Sequence, residues 1–305
     1  MKPSDTSILQ AAFGNHMKVN VSLSGFTSAR IGGPADVLIT VRSADELQQA
    51  ARLVWEMGIT FHLIGGGSNV LVSDKGIRGV TVLNRARQVK FEKDSDSSLV
   101  FAESGASLND IAQRSANHSL SGLEWAASVP GSLGGAIYGN AGAFGGEMSA
   151  NLLSVEVFDR QEGVQTWPVD RMQYGYRTSV LKRARLDVVI LAATLKLSQG
   201  DKATIRKIMA GNTERRHKTQ PPGASMGSMF KNPPGDKAGR LLEAAGLKGT
   251  RIGTAEISTV HANFFINTDK TLASDMKALL ELAQETVYKK FGVNLESEIE
   301  IIGDW

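Results

Sequence analysis

The stretch Pro130-Gly131-Ser132-Leu133-Gly134-Gly135-Ala136-Ile137-Tyr138-Gly139-Asn140-Ala141-Gly142-Ala143-Phe144-Gly145-Gly146 decides how this chain is read. Seven of the sixteen positions from Gly131 to Gly146 are glycine and three are alanine. So little side-chain volume has two explanations: backbone packed on backbone, or backbone laid along a flat ligand. Close packing rarely demands so many glycines, so the ligand reading is favoured. Gly65-Gly66-Gly67-Ser68-Asn69 poses the same choice after the apolar run Ile59 to Ile64. Its successive N–H groups form either a nest for a diphosphate or a tight surface turn, and the residues alone leave both open.

Strand and helix signals alternate around these segments. Ala35 to Arg42 reads as a strand, and Ser43 opens a helix in which Glu46 completes a capping box; Leu47, Ala50, Ala51, Val54 and Met57 form its apolar stripe. Val70 to Val72 and Val80 to Leu83 read as further strands of that sheet. Leu99 to Glu103, Leu153 to Phe158 and the β-branched run Asp187 to Leu197 suggest antiparallel pairing, hence an α+β region. Beyond Gly200 come a polar helix (Lys202 to Arg216), a short helix (Asp236 to Ala245), a strand (Ala262 to Ile266), a long helix (Leu272 to Phe291) and a closing strand, Asn294 to Ile302. The pattern divides the chain as 1-85, 86-200 and 201-305.

Composition narrows the chemistry. The 305 residues, 42% of them hydrophobic, suffice for two domains or one large one. Glycine, at 32 residues, stands at about 10% against an average near 7%. With no cysteine, disulfide scaffolds, thiolate zinc sites, iron–sulfur ligation and a thiol nucleophile are excluded. The net charge of +3 and short basic clusters without interleaved aromatics do not favour nucleic acid. Met1 to Asn15 has no apolar signal region, and the longest aliphatic run, Val188 to Ala193, is too short to span a bilayer. A soluble, cytoplasmic protein is expected.

Gly223-Ala224-Ser225-Met226-Gly227 matches a serine-hydrolase elbow, but Pro221-Pro222 before it and Lys231-Asn232-Pro233-Pro234 after it deny the strand–turn–helix that the elbow needs. The five histidines form no H-E-x-x-H pair, and no metal site is expected. Tyr174-Gly175-Tyr176-Arg177-Thr178-Ser179 sets an arginine among aromatics. Glu296, Glu298 and Glu300 alternate with Ser297, Ile299 and Ile301 as on a half-solvated strand face, and periodicity singles out none of the three.

Six segments taken in order resemble the UDP-N-acetylenolpyruvoylglucosamine reductase family: Arg30 to Ala35, Gly65 to Asn69, Pro130 to Ala136, Tyr176 to Ser179, Gly227 to Pro233 and Glu298 to Gly303. The resemblance spans Thr27 to Gly303. It implies an FAD-binding domain of the p-cresol-methylhydroxylase/vanillyl-alcohol-oxidase type in two α+β subdomains (1-85 and 86-200). A substrate-binding α+β domain (201-305) follows, whose last strand returns a glutamate to the site. Gly65, Gly66, Gly67, Ser68, Asn69, Pro130, Gly131, Ser132, Gly134, Gly135, Asn140 and Gly142 would then lie along a noncovalent FAD.

The implied activity is reduction of a UDP-sugar enolpyruvyl ether by NADPH through FAD, in peptidoglycan synthesis. Hydride reaches C3 and a proton reaches C2. Ser228 matches the family's proton donor, Arg177 and Glu298 the pair that stabilises the enolate-like charge, and Tyr176, Lys218 and Asn232 match substrate contacts. The resemblance thus singles out the middle glutamate. No nucleic-acid, membrane or obligate protein partner is implied. The chain departs from one branch of the family: only Thr178 to Leu186 separates Arg177 from the next strand, leaving no room for an added loop with a substrate-covering tyrosine. An FAD-dependent oxidase of another alcohol or sugar is the alternative on the same fold.

Overall fold

A computed structural model describes residues 2–93 and 98–305. The chain forms two compact units, each assembled from separated stretches: Met1–Lys18, Leu38–Gly66 and Gly79–Arg215 in one, Val19–Val37, Gly67–Arg78 and Arg216–Trp305 in the other.

The first unit is built on an antiparallel sheet in the order Gly163–Pro168, Leu152–Asp159, Val188–Gln199, Ser98–Glu103 and Val89–Lys93; Leu120–Ser121 pairs with the end of Val188–Gln199. Val189, Ile190, Leu191, Ala192 and Ala193 are all buried, as in a strand covered on both faces; farther along, buried Leu195 and Leu197 alternate with exposed Lys196 and Ser198. Helix Leu108–Asn117 is capped by the Ser107 hydroxyl, which accepts from Asp110 N–H. Its Leu108, Ile111 and Ala112 join Trp125, Leu133, Ile137, Leu152, Val155 and Trp167 in one core. In helix Ala44–Glu56 the Ser43 hydroxyl caps Glu46 N–H at 3.1 Å, while the Glu46 carboxylate takes Arg42 N–H, one residue before the cap amide that a capping box would use. Phe61–Ile64 pairs in parallel with Val80 to Leu83.

The glycine-rich stretch is not a continuous loop. Leu133–Gly139 is a helix despite three glycines, with Ser132 as its cap and Leu133, Ala136 and Ile137 buried. Packing of those three side chains and the cap override the low helix propensity of glycine.

The second unit holds a four-stranded antiparallel sheet, Ala224–Ser228, Phe264–Asn267, Ala255–Ile257 and Arg251–Ile252, with helices Ala238–Ala244 and Ala273–Phe291. Met226, Met229, Phe230, Leu241, Leu242, Phe265, Met276, Leu279 and Leu280 make its core. Val70–Val72 does not continue the first sheet as expected; it pairs in parallel with Glu300–Ile302. The closing strand is also shorter than its alternation predicts, because 293–299 makes a single isolated bridge, Ser297 with Phe230, rather than a ladder. Leu272, at the N-terminus of the long helix, has no capping side chain. Asp74, from the turn after Val70–Val72, supplies the cap: its two carboxylate oxygens accept from Ala273 N–H (2.7 Å) and Ser274 N–H (2.9 Å).

Replacing Asp74 with Ala therefore removes acceptors from two helix-terminal amides and should lower unfolding free energy by about 1–2 kcal/mol, read from the denaturant midpoint. A loss within error would contradict the capping role. Burial lowers the pKa of both His62 and His261. The unfolded chain then binds their protons more readily, so their stabilisation is complete above about pH 6.5 and is lost as pH falls through the lower folded values. The midpoint should drop between pH 7.5 and 5.5, less steeply after His62→Gln and His261→Gln; an unaltered slope would exclude these two groups as the cause.

Candidate functional site

In the first unit the two glycine-rich segments lie against each other. A Cβ at Gly66 would sit 2.6 Å from Gly131 Cα, and one at Gly65 would strike the Ser132 hydroxyl. Gly131 O accepts from Leu108 N–H, Leu133 N–H reaches Ala106 O, and Gly134 N–H reaches Ser104 O. Close packing, on the Ser132 side chain at Gly65 and on the Gly131 backbone at Gly66, is thus a sufficient reason for glycine at both positions. At Gly139 a Cβ would meet nothing within 4 Å. The N–H of exposed Gly66 donates to no protein acceptor among the described residues. Arg85 donates to Gly65 O at 2.7 Å; burial, then Arg87, lowers its pKa. A bare glycine backbone beside a guanidinium fits a flat cofactor with a diphosphate.

Arg177 occupies a tight turn in the same unit. Gly175 and Thr178 exchange N–H···O bonds of 3.1 and 3.2 Å, leaving Tyr176 and Arg177 as the two central residues. Arg177 has φ +56°, a position where glycine is usual and a side chain costs about 1 kcal/mol. Its Nη2 donates to Gly142 O at 2.6 Å, and its guanidinium lies 5.1 Å from the ring centre of Tyr176, which is itself 50% exposed. Asn140, buried and left-handed at φ +47°, uses its amide within the protein: Nδ2 donates to Gly175 O (3.1 Å) and Oδ1 accepts from Ser149 N–H (3.0 Å). Between Arg177 and Val188 the chain holds only a five-residue helix, Val180–Ala184, capped by Ser179.

In the second unit Ser228 ends strand Ala224–Ser228. Ser225 faces Ile266 and Ser228 faces Phe264, so the strand carries one extra residue, a bulge at Met226-Gly227. Gly227 has φ +77° with nothing near its absent Cβ, so glycine is needed for conformation rather than for space. Bulges re-aim the side chain that follows, here Ser228. Ser225 lies inside this strand, far from any strand–helix elbow, and the next helix begins only at Ala238.

The residue after Ser228 anchors the glutamate segment. Glu298 N–H donates to Met229 O at 2.9 Å, and Met229 N–H donates to Asn263 O at 2.8 Å. Asn69 Nδ2 donates to Glu298 O at 3.0 Å, while Asn69 O accepts from Glu300 N–H at 2.9 Å. The three glutamates therefore differ: Glu296 is exposed and ion-paired with Lys231, Glu300 opens the strand, and half-buried Glu298 is held through its backbone on both sides. Asn232 Oδ1 accepts from Ala238 N–H at 3.0 Å. Lys218 is exposed near the C-terminal end of helix Lys202–Thr219. Gly67 is buried, and its N–H finds no protein acceptor among the described residues. Sequence reading missed Asn263, 4% exposed, whose side chain accepts from Phe230 N–H and donates to Phe230 O; an asparagine amid Ala262 and Phe264 was its only signal.

Among the described residues no helix is long and apolar enough to cross a membrane, and no group of three or more His, Asp or Glu is placed to hold a metal ion.

Comparison with known proteins accounts for both units. Residues 35–167 match the model of an FAD-binding domain, and residues 218–302 match that of the UDP-N-acetylenolpyruvoylglucosamine reductase C-terminal domain. The chain is 40% identical to the UDP-N-acetylenolpyruvoylglucosamine reductase of Chloroflexus aggregans over 94% of this chain and 97% of that one. Identity is again 40% with the enzyme of that name from Halalkalibacterium halodurans, over 97% of each. The crystal structure of the Thermus caldophilus reductase superposes with a TM-score of 0.79 at 34% identity, covering 93% of this chain and 99% of that one. Domain order, full-length similarity and fold agree with the resemblance carried by the six motifs: the chain belongs to the UDP-N-acetylenolpyruvoylglucosamine reductase family.

Proposed function

We propose that this chain reduces the enolpyruvyl ether of a UDP-N-acetylglucosamine to the corresponding UDP-N-acetylmuramate in the cytoplasm, as a step of peptidoglycan synthesis, with NADPH as reductant and FAD bound noncovalently. In this reading 1-85 and 86-200 hold the cofactor and 201-305 the substrate. Backbone of Gly65 to Asn69, Pro130 to Ser132, Gly134, Gly135 and Gly142 would line the FAD. FAD, once reduced by NADPH, supplies the hydride that C3 of the substrate receives.

This chain's residues manage the charge and the proton. Hydride arriving at C3 sends an electron pair through C2 onto the substrate carboxylate, giving an enolate-like species. The Arg177 guanidinium, already seated by Gly142 O, offers two-pronged donation to that carboxylate. Glu298, in its protonated form, donates a hydrogen bond to the same charge. Ser228 then passes its hydroxyl proton to C2; an alcohol is a weak acid, so the transfer depends on tight placement. Tyr176, Lys218 and the Asn232 amide bind the sugar nucleotide. The observation that carries the reading is the bond from Glu298 N–H to Met229 O, which makes the proposed proton donor Ser228 and Glu298 neighbours through backbone. An oxidase would need a base rather than a proton donor with an anion clamp, and the relatives are named as reductases.

Stopped-flow measurement of the two half-reactions tests this. Ser228→Ala should keep NADPH-driven flavin reduction and slow reoxidation by the enolpyruvyl substrate by roughly 10²- to 10⁴-fold. Unchanged reoxidation would remove Ser228 from its role. Glu298→Ala should slow the same step by roughly 10²-fold, with Glu298→Gln less impaired because its carboxamide still donates. Glu296→Ala should leave both steps within about threefold, as its exposed side chain pairs with Lys231; equal losses at positions 296 and 298 would make both glutamates structural.

A further inference from the structure

We propose that Asn140 is a positioning residue for Arg177, acting on the second half-reaction rather than on cofactor binding; the inference rests on the role given to Arg177 above. Its basis is a closed circuit of bonds. Asn140 Nδ2 holds Gly175 O, the first residue of the Arg177 turn. Arg177 leaves that turn with a left-handed backbone and reaches Gly142 O with Nη2. Gly142–Ala143 pairs with Gly146–Glu147 in a small hairpin, and Ser149, just beyond it, returns its N–H to Asn140 Oδ1. One buried amide thus ties the turn that carries the guanidinium to the hairpin that carries its acceptor.

The circuit has a physical purpose. A side chain at φ +56° in a two-residue turn is strained, and strain of this kind persists only where surrounding bonds over-determine it. Arg177 is also long, so small changes in the turn become large displacements of its guanidinium. Asn140 meets both demands, because asparagine tolerates its own left-handed backbone at φ +47° and carries a donor and an acceptor on one planar group. Aspartate would keep the acceptor for Ser149 and lose the donor to Gly175. Glycine would keep the backbone and lose both.

The test uses the FAD-loaded enzyme and four variants: Asn140→Asp, Asn140→Gly, Arg177→Lys and Asn140→Asp with Arg177→Lys. Asn140→Asp should keep its flavin and its rate of reduction by NADPH while reoxidation by the enolpyruvyl substrate slows roughly 10- to 100-fold. Arg177→Lys should slow the same step, and adding Asn140→Asp to it should cost less than about threefold more, because the group being positioned is already altered. Loss of flavin, slowing of both half-reactions together, or the same penalty with and without Arg177 would overturn the proposal. Asn140→Gly serves if the aspartate variant does not accumulate; failure of both to yield flavoprotein would assign Asn140 to folding and likewise overturn it. Wild-type reoxidation in Arg177→Lys alone would instead refute the role of Arg177, and this proposal with it, and is read from that single variant.

Discussion

The Met229 carbonyl accepts the amide of Glu298 at 2.9 Å, and the rest of the proposed chemistry depends on that bond. It joins two stretches nearly seventy residues apart through main chain alone. Around it, Asn263 clamps Phe230 from both sides, and Asn69 holds the Glu298 carbonyl while its own carbonyl takes the Glu300 amide. Backbone anchoring suits a weak acid. A serine hydroxyl transfers a proton to carbon only if its oxygen is held near the acceptor, and main-chain bonds locate it without the rotamer freedom of long side chains.

The same logic runs through the Arg177 turn and the bulge before Ser228. Each uses a backbone conformation outside the usual range, φ +56° at Arg177 and φ +77° at Gly227. At Gly227 the residue type relieves the strain; at Arg177 the proposed chemistry calls for the side chain, which leaves the turn to be held by bonds such as Asn140 to Gly175 O. Such positions recur where geometry has been traded against stability.

Much of the fold was legible beforehand. Ser43 caps the helix that its spacing predicts, and the β-branched run Asp187 to Leu197 forms the antiparallel strand expected of it. What escaped the sequence was decided by tertiary contact. Leu133–Gly139 is helical because Leu133 and Ile137 pack into a core, which a count of glycines cannot reveal. Asp74 caps a helix two hundred residues later, beyond the reach of any local pattern. Within the site, alternation made Glu296, Glu298 and Glu300 equivalent; the Lys231 pair and the Met229 bond make them different. Glycine at Gly65 and Gly66 answers to packing against Ser132 and Gly131, a contact between distant segments that the local choice between nest and turn did not include.

The most direct measurement of the central claim is the visible absorbance of the purified protein under exclusion of oxygen. The account predicts a flavin band that bleaches on addition of NADPH and returns when UDP-N-acetylglucosamine enolpyruvate is added, in equal moles. A protein that neither carries nor takes up FAD, or a bleached flavin that the enolpyruvyl ether fails to reoxidise, would contradict it.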